Sequence, residues 1–155
     1  MTTPFDAIRG VPYACQPLPN LVTGGQPEKR HLEAIARAGA TVVLDLRAPF
    51  EPRGFDEPAT VRGLGMEYVN VPVGAGPLDD ALLEQILAVF RSHPDTTVFC
   101  HCAGGNRVGG ALIPYLMLDQ QFTEEDAIAT AKRVGLSSPE LLAWGVEYAK
   151  RKGGR

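Results

Sequence analysis

The sequence predicts an α/β fold, a three-layer sandwich in which helices cover both faces of a mainly parallel sheet of four to five strands. Short apolar runs typical of buried strands alternate along the chain with segments of helical periodicity, as in parallel sheets. The chain has 155 residues, 45% of them hydrophobic, which is enough to bury the core of one domain. We therefore expect a single domain over residues 1–155, with residues 1–19 as an irregular, proline-rich lead-in.

The first half of the chain predicts its elements in order. After the short apolar stretch NLVTGG, Pro27 occupies a first helical position and Gly39 ends that helix. The apolar run TVVLDLR predicts a buried strand, and the proline- and glycine-containing stretch APFEPRGFDEP predicts an irregular connector. Alternation in MEYVNVPV predicts the next strand, with Pro72 near its end or at an edge.

The second half predicts one more strand and four helices. Apolar spacing indicates an amphipathic helix over residues 78–92, and TTVFCHC predicts the strand that follows it. Helical periodicity resumes over residues 107–118. A capping box at Thr123 opens the next helix, and Ser138 opens the last one.

Composition limits the classes of function. The 15 Lys and Arg residues against 18 Asp and Glu give a net charge of −3 with no long run of one sign, so we expect no nucleic-acid or anionic-membrane partner. The N-terminus lacks an apolar signal core, and the run ALIPYLML is far shorter than the roughly 20 residues of a membrane helix. We therefore expect a soluble, cytoplasmic protein. Cys15, Cys100 and Cys102 cannot all pair within the chain, so at least one thiol is expected to be free.

The stretch HCAGGNRVGG, residues 101–110, has the composition of an anion-binding loop. It lies between a predicted strand and a predicted helix, at the sheet edge where such folds bind ligands. Two glycines and an asparagine allow its N–H groups to turn inward, and the helix dipole and Arg107 would stabilise a Cys102 thiolate. The predicted anion ligands are Ala103, Gly104, Gly105, Asn106 and Arg107.

His101 is predicted to order the loop through hydrogen bonds, because strand alternation points it away from Cys102. In the alternative interpretation the stretch is only a strand-turn-helix corner with Cys102 as buried filler, which leaves Arg107 unexplained. A metal site built from Cys100, His101, Cys102 and His93 lacks the paired spacing of structural zinc sites. We therefore expect neither a metal nor a cofactor.

The runs LVTGGQPEKRHLEAIARAGATVVLDLR, LGMEYVNVPV and VFCHCAGGNRVGG, in this order, resemble the beta-lactamase hydrolase-like phosphatase domain. This domain is a branch of the cysteine-dependent dual-specificity phosphatase superfamily, and the likeness covers about residues 20–118. It implies a phosphotyrosine-phosphatase-like fold and hydrolysis of a small-molecule or protein phosphomonoester. It also implies that Cys102 attacks phosphorus while Arg107 and the amides of residues 103–106 bind the phosphoryl oxygens.

Three departures from that family pattern imply a slow or specialised enzyme. Active members place five residues between the cysteine and the arginine, whereas this loop has four between Cys102 and Arg107. The hydroxyl residue expected after the arginine is Val108, and GAG stands where the acidic aspartate is usual. Asp79 and Asp80 follow shortly after and are the candidates for the catalytic acid, although both also suit helix N-terminal positions.

The four-residue spacing also suits a second class of protein, the rhodanese-type sulfurtransferases, whose cysteine persulfide needs no acid. The run VVLDLRAPFE is similar to the Asp-x-Arg-x-x-x-Glu stretch of rhodaneses, so a Cys102 persulfide with a sulfur donor as partner stays an alternative. Asp45 and Arg47 in that run are equally typical of strand-end charges that pair with neighbours. A non-catalytic oxyanion-binding module is the third interpretation, which Val108 and the missing acid favour. The sequence is silent on the oligomeric state.

Overall fold

The computed structural model describes residues 2–154, so Met1 and Arg155, the two ends of the predicted domain, lie outside the described residues. The described part of the chain contains five strands and seven helices. In chain order they are α1 (Pro4–Ala7), β1 (Cys15–Leu18), β2 (Leu21–Gly24), α2 (Lys29–Arg37), β3 (Ala40–Asp45), α3 (Glu57–Gly63), β4 (Glu67–Asn70), α4 (Asp80–Ser92), β5 (Thr97–His101), α5 (Asn106–Leu118), α6 (Glu124–Val134) and α7 (Pro139–Arg151).

The five strands form one sheet in the order β1-β2-β5-β3-β4. The edge strand β1 is antiparallel to β2, and all other neighbours are parallel. The prediction of a mainly parallel sheet of four to five strands is confirmed. Because β5 is the central strand, the loop after it opens at the middle of the carboxyl edge.

Helices cover both faces of this sheet, which confirms the three-layer sandwich. Val98 and Cys100 of β5 pack in a core with side chains of α4 to α7. Phe99, between them, packs with Val22, Val43 and side chains of α1 to α3. The strand alternation therefore decides which helical layer each residue of β5 faces.

The prediction of an irregular lead-in over residues 1–19 needs correction, because residues 2–19 contain the helix α1 and the strand β1. The Thr3 hydroxyl accepts the Asp6 N–H at 3.1 Å and caps α1. In β1, Cys15 pairs with Thr23 of β2. A four-residue strand containing a proline shows no clear alternation, and its partner strand supplies the pairing that defines it.

The helix α3 was missed because its first residues lie in the connector APFEPRGFDEP. Asp56 caps it by accepting the Ala59 N–H at 3.2 Å, and Val61 is its buried apolar residue. One buried apolar side chain in seven residues gives little periodicity to detect. No helix in residues 2–154 is long and apolar enough to cross a membrane.

Candidate active site

The loop that joins β5 to α5 forms the floor of a cavity at the carboxyl edge of the sheet. It turns at Gly105, the N-cap of α5, whose φ of 85° lies in the left-handed region that favours glycine. A Cβ at Gly105 would also collide with the carbonyl of Val134. The cavity has a volume of about 540 Å³, and Cys102 and Arg107 both line it. The structure thus brings together the two residues that the sequence singles out for phosphoryl chemistry.

Cys102 lies at the base of this cavity with 1% of its surface exposed. Its backbone N–H donates to the Gly24 carbonyl at 3.2 Å, which ties the start of the loop to β2. Its Sγ accepts a hydrogen bond from the Gly105 N–H at 3.1 Å. A backbone donor is thus aimed at the sulfur, beside the positive end of the α5 dipole.

Four further N–H groups of the loop donate no hydrogen bond to any residue from 2 to 154. They belong to Ala103, Gly104, Asn106 and Arg107. Two of them are the first N–H groups of α5, which have no acceptor within a helix. The Asn106 side chain holds its end of the loop in place by accepting the N–H groups of Ser137 and Ser138 at 3.0 and 3.1 Å. Free amide donors at a helix N-terminus form an anion-binding site.

Arg107 is oriented by Glu51. Its Nη1 and Nη2 donate to the two carboxylate oxygens at 2.8 and 3.1 Å, and Nη1 also donates to the Val73 carbonyl at 3.3 Å. The hydrogen bond from Arg107 lowers the pKa of Glu51 to about 2, against the effect of burial, with further help from the Ala48 N–H and Arg47. The same pair raises the pKa of Arg107. These contacts leave Nε and one hydrogen of Nη2 for a bound oxyanion.

His101 is fully buried and is bonded on both ring nitrogens. Its Nδ1 lies 3.2 Å from the Cys102 carbonyl, and its Nε2 lies 2.5 Å from a Glu57 oxygen. Burial alone would lower the pKa of His101, but the hydrogen bond and charge of Glu57, with the charge of Asp45, outweigh burial and raise it. The charged imidazole then donates to the carbonyl of the residue that bears the thiol. This geometry supports the loop-ordering role predicted for His101.

The carboxylates of Asp45 and Glu57 converge with His101, their ligand atoms lying within 4.8 Å of one another. Such a set can hold a metal ion, but Arg53 lies against it. The Arg53 Nε is 2.8 Å from Asp45 and 3.7 Å from Glu57. Two carboxylates face one guanidinium and one charged imidazole, so the cluster is neutral and lacks the excess negative charge that a cation requires.

Asp79 and Asp80, the candidates for the catalytic acid, lie at the start of α4. The Asp79 carboxylate caps this helix by accepting the Leu82 N–H at 3.1 Å. Asp80 pairs with Arg151 at 2.7 and 2.9 Å, and the Arg151 hydrogen bond lowers the pKa of Asp80. Within residues 2–154 neither carboxylate forms a hydrogen bond with the loop from Cys102 to Arg107, called the anion loop below. The acid role stays a prediction that requires the preceding loop to carry one of them to the cavity.

The other two cysteines lie outside the loop. Burial raises the pKa of Cys100 well above its usual value and raises that of Cys15, so both of these thiols stay protonated. Cys100 packs in the core between the sheet and α4 to α7. Cys15 belongs to the edge strand β1, where it pairs with Thr23.

Sequence reasoning did not identify Glu51 and Glu57 as site residues. Both belong to or follow the stretch VVLDLRAPFE, whose charge pattern was the available signal. Asp45 and Arg47 of that stretch do pair with neighbours, since Asp45 accepts the Arg47 N–H at 2.9 Å and Arg47 bonds Glu51 at 3.1 Å. The exposed aromatic Tyr13 was also missed, and it lines the cavity with 62% of its surface accessible.

The sheet order, the two helical layers and the cysteine-bearing loop after the central strand define the fold of tyrosine and dual-specificity phosphatases. A DUF442 protein from Shewanella putrefaciens CN-32 that is assigned to the phosphatases has a TM-score of 0.82 and 23% identity, over 97% of this chain and 99% of that chain. Tk-PTP in its active form has a TM-score of 0.75 and 21% identity, over 90% and 98% of the two chains. P. aeruginosa TpbA in complex with phosphotyrosine has a TM-score of 0.64 and 16% identity, over 88% and 95%.

Neither a protein-family model nor a curated protein matches the chain. At these identities the solved structures establish the fold, and the phosphatase-like fold implied by the sequence resemblance is confirmed. They lend no support to the rhodanese interpretation. A shared fold does not fix an activity, which depends on the residues of the site.

Proposed function

We propose that the protein is a cysteine-dependent phosphatase that hydrolyses phosphomonoesters. The observation that supports it most is the convergence of the Cys102 sulfur, four free loop amides and the Arg107 guanidinium on one cavity. Three phosphoryl oxygens need several donors at fixed positions around an attacking atom, and such a preorganised set is how enzymes stabilise the charge of the transition state.

The reaction has two steps. In the first, the Cys102 thiolate attacks phosphorus, so that a sulfur–phosphorus bond forms and the bond to the leaving-group oxygen breaks. The amides and Arg107 hold the equatorial oxygens during this transfer. In the second step water attacks phosphorus, the sulfur–phosphorus bond breaks, and inorganic phosphate leaves while the thiolate is restored. A slow enzyme is expected, because the loop has one residue fewer than usual and Val108 supplies no hydroxyl to the departing thiolate.

The substrate class we propose is an aryl phosphate, including phosphotyrosine in a protein. Tyr13 at the cavity wall is 62% exposed, and Phe50, which with Arg107 lines the adjoining cavity, is 80% exposed. Both rings can contact an aromatic leaving group that projects from a phosphate bound at the anion loop. The P. aeruginosa neighbour that binds phosphotyrosine has the same fold. The proposal includes a cytoplasmic location, because Cys15, Cys100 and Cys102 are all unpaired, as in reducing compartments.

A non-catalytic oxyanion-binding module is the second candidate. It is favoured by the engagement of Asp79 and Asp80 elsewhere, which leaves the leaving group without an acid. In that case the Cys102→Ser variant would bind phosphate or sulfate as well as wild type does.

Phosphate release from p-nitrophenyl phosphate tests the proposal, because this leaving group departs without an acid. Wild type should turn over and Cys102→Ser should fall to background, while Cys15→Ser, a change at a half-buried thiol outside the loop, should keep the wild-type rate. Equal rates for wild type and Cys102→Ser would reject the phosphatase. Phosphate binding without turnover would then establish the binding module.

A further inference from the structure

The anion loop is held at both ends by carboxylates from other parts of the chain. At its start His101 bonds Glu57, the first residue of α3, and at its end Arg107 bonds Glu51, in the connector before that helix. The separation between the Cys102 carbonyl and the Arg107 guanidinium therefore depends on how Glu57 and Glu51 are placed relative to each other.

Gln26 joins these two carboxylates. Its Nε2 donates to Glu57 at 2.8 Å, and its Oε1 accepts from Arg47 Nη1 at 2.9 Å. The Arg47 Nε in turn donates to Glu51 at 3.1 Å. Because a carboxylate only accepts and a guanidinium only donates, the orientation of the Gln26 amide follows from its partners. The backbone N–H of Gln26 also donates to the Ala103 carbonyl, inside the loop, at 3.1 Å.

We propose that Gln26 is a positioning residue for the anion loop. It belongs to the GGQP stretch, which the chemistry of the site does not otherwise use. Gln26 is not among the described residues that line the cavity, so it acts through others. One branch runs through Glu57 and His101 to the Cys102 carbonyl, and the other runs through Arg47 and Glu51 to Arg107. The two branches close a ring of hydrogen bonds beneath the loop.

Loss of the Gln26 amide would leave one oxygen of Glu57 without that donor and Arg47 Nη1 without that acceptor. Both branches would then relax independently. A displacement of about 1 Å in a catalytic group costs on the order of 10²-fold in rate, so a smaller shift of Arg107 should cost about 10-fold.

The test compares Gln26→Leu and Gln26→Glu with Gln85→Glu, a matched change at an exposed residue of α4. Turnover of p-nitrophenyl phosphate by folded protein is measured from pH 5.5 to 8. We expect kcat/KM to fall about 10-fold at every pH in Gln26→Leu. In Gln26→Glu an ionised carboxyl would repel Glu57, whereas a protonated one would donate to it and restore the ring. Its activity relative to wild type should therefore rise about 10-fold from pH 8 to pH 5.5. Gln85→Glu should match wild type throughout.

This inference rests on the proposed function only for its kinetic readout, so a second measurement is independent of turnover. Alkylation of Cys102 by iodoacetamide is followed by mass spectrometry with and without inorganic phosphate. The phosphate concentration that protects Cys102 should be about 5- to 10-fold higher in Gln26→Leu than in wild type. If phosphate protects wild type but no turnover is seen, the phosphatase proposal is rejected. The comparison of wild type with Gln26→Leu in the alkylation experiment still tests the positioning role of Gln26.

Three results overturn the positioning role. One is wild-type kcat/KM and wild-type phosphate protection in folded Gln26→Leu. Another is a deficit in Gln26→Glu that is the same at pH 5.5 and pH 8, which also decides the matter if Gln26→Leu does not fold. The third is the absence of both turnover and phosphate protection in wild type, because no anion loop would then exist to be positioned.

Discussion

The guanidinium of Arg107 and the carboxylate of Glu51 form a two-pronged ion pair, with N–O distances of 2.8 and 3.1 Å. Glu51 is itself held by Arg47 and by the Ala48 N–H, at 3.1 and 2.7 Å. A planar guanidinium bonded along one edge keeps its other edge in a fixed orientation. That other edge is near Cys102, whose charge contributes to the raised pKa of Arg107. In the proposed phosphatase, this pair would orient Arg107 for an oxyanion without competing with it.

Glu51→Gln should lower kcat/KM for p-nitrophenyl phosphate by about 10- to 100-fold, because an amide cannot accept both Arg107 donors. Steady-state kinetics and inhibition by vanadate would measure the loss, and vanadate affinity should fall in parallel. Glu147→Gln, at an exposed position on α7, is the matched control and should behave as wild type. Higher activity in Glu51→Gln would instead show that Glu51 blocks the site.

The same ion pair predicts how stability changes in acid. The pKa of Glu51 is lowered from 4.5 to about 2 in the folded chain, so its stabilisation is fully present above pH 4.5 and is lost as pH falls toward 2. Allowing for solvent at this partly exposed pair, the contribution is roughly 1–2 kcal/mol, or about 3–6 °C in Tm. Between pH 5 and pH 2 the Tm of Glu51→Gln should therefore fall less than the Tm of wild type, by this amount. Parallel curves for the two proteins would contradict the assignment.

The fold was predictable where local patterns reflect burial. TVVLDLR and TTVFCHC became β3 and β5, because strands covered on both faces are continuously apolar. The edge strand β1 and the helix α3 were not predictable, since each buries few side chains and depends on contacts with elements distant in sequence. Propensity is a weak guide where tertiary contacts determine the conformation.

The site was predictable only within its own loop. Only four residues separate Cys102 from Arg107, so one strand-to-helix turn brings them to one cavity. Glu51 reaches this loop from the connector after β3 and Glu57 from the start of α3, and their contacts span 56 and 44 positions. Polar partners at such separations carry no periodicity, and only the three-dimensional arrangement of the strands identifies them.

Glu57→Gln should lower stability by about 3–5 kcal/mol, since it removes one charge from a buried neutral cluster. The effect should depend on pH. Because the pKa of His101 is raised above 6.5, the stabilisation from this pair is present below pH 6.5 and is lost as pH rises through the folded pKa. Burial lowers the pKa of His31, so its titration changes stability only below pH 6.5. There it makes stability rise with pH, which is opposite to the effect of His101.

Thermal unfolding from pH 6 to pH 9 checks this prediction. The Tm of wild type should fall across the upper part of that range. The Tm of Glu57→Gln should be lower at pH 6 and should change less with pH. A wild-type Tm that stays constant above pH 6.5 would mean that His101 is buried as the neutral imidazole, whose titration changes stability only below pH 6.5.

Two neighbouring glycines of the loop should differ sharply in their tolerance of a methyl group. Gly105 has φ of 85° and lies against the Val134 carbonyl, whereas a Cβ at Gly104 would meet nothing closer than Tyr13 at 3.8 Å. Gly105→Ala should therefore cost about 2–4 kcal/mol and displace the N–H that faces the Cys102 sulfur. Gly104→Ala should leave Tm within about 2 °C of wild type. Equal Tm values for the two variants would contradict the backbone geometry of the loop.

The identity of the catalytic acid is testable through the leaving group. p-Nitrophenolate departs without a proton, whereas phenolate requires one, so loss of an acid slows phenyl phosphate by about 10²- to 10⁴-fold and spares p-nitrophenyl phosphate. Since Asp79 caps α4 and Asp80 pairs with Arg151, we expect Asp79→Asn and Asp80→Asn to change the ratio of the two rates by less than about 3-fold. Asparagine also caps helices well, so Asp79→Asn should keep its stability and be measurable. A selective loss on phenyl phosphate in either variant would show that the loop before α4 folds over the cavity during turnover. Unchanged ratios in both would mean that water or another acidic group protonates the leaving oxygen, such as the exposed Glu140, which with Arg107 lines the adjoining cavity.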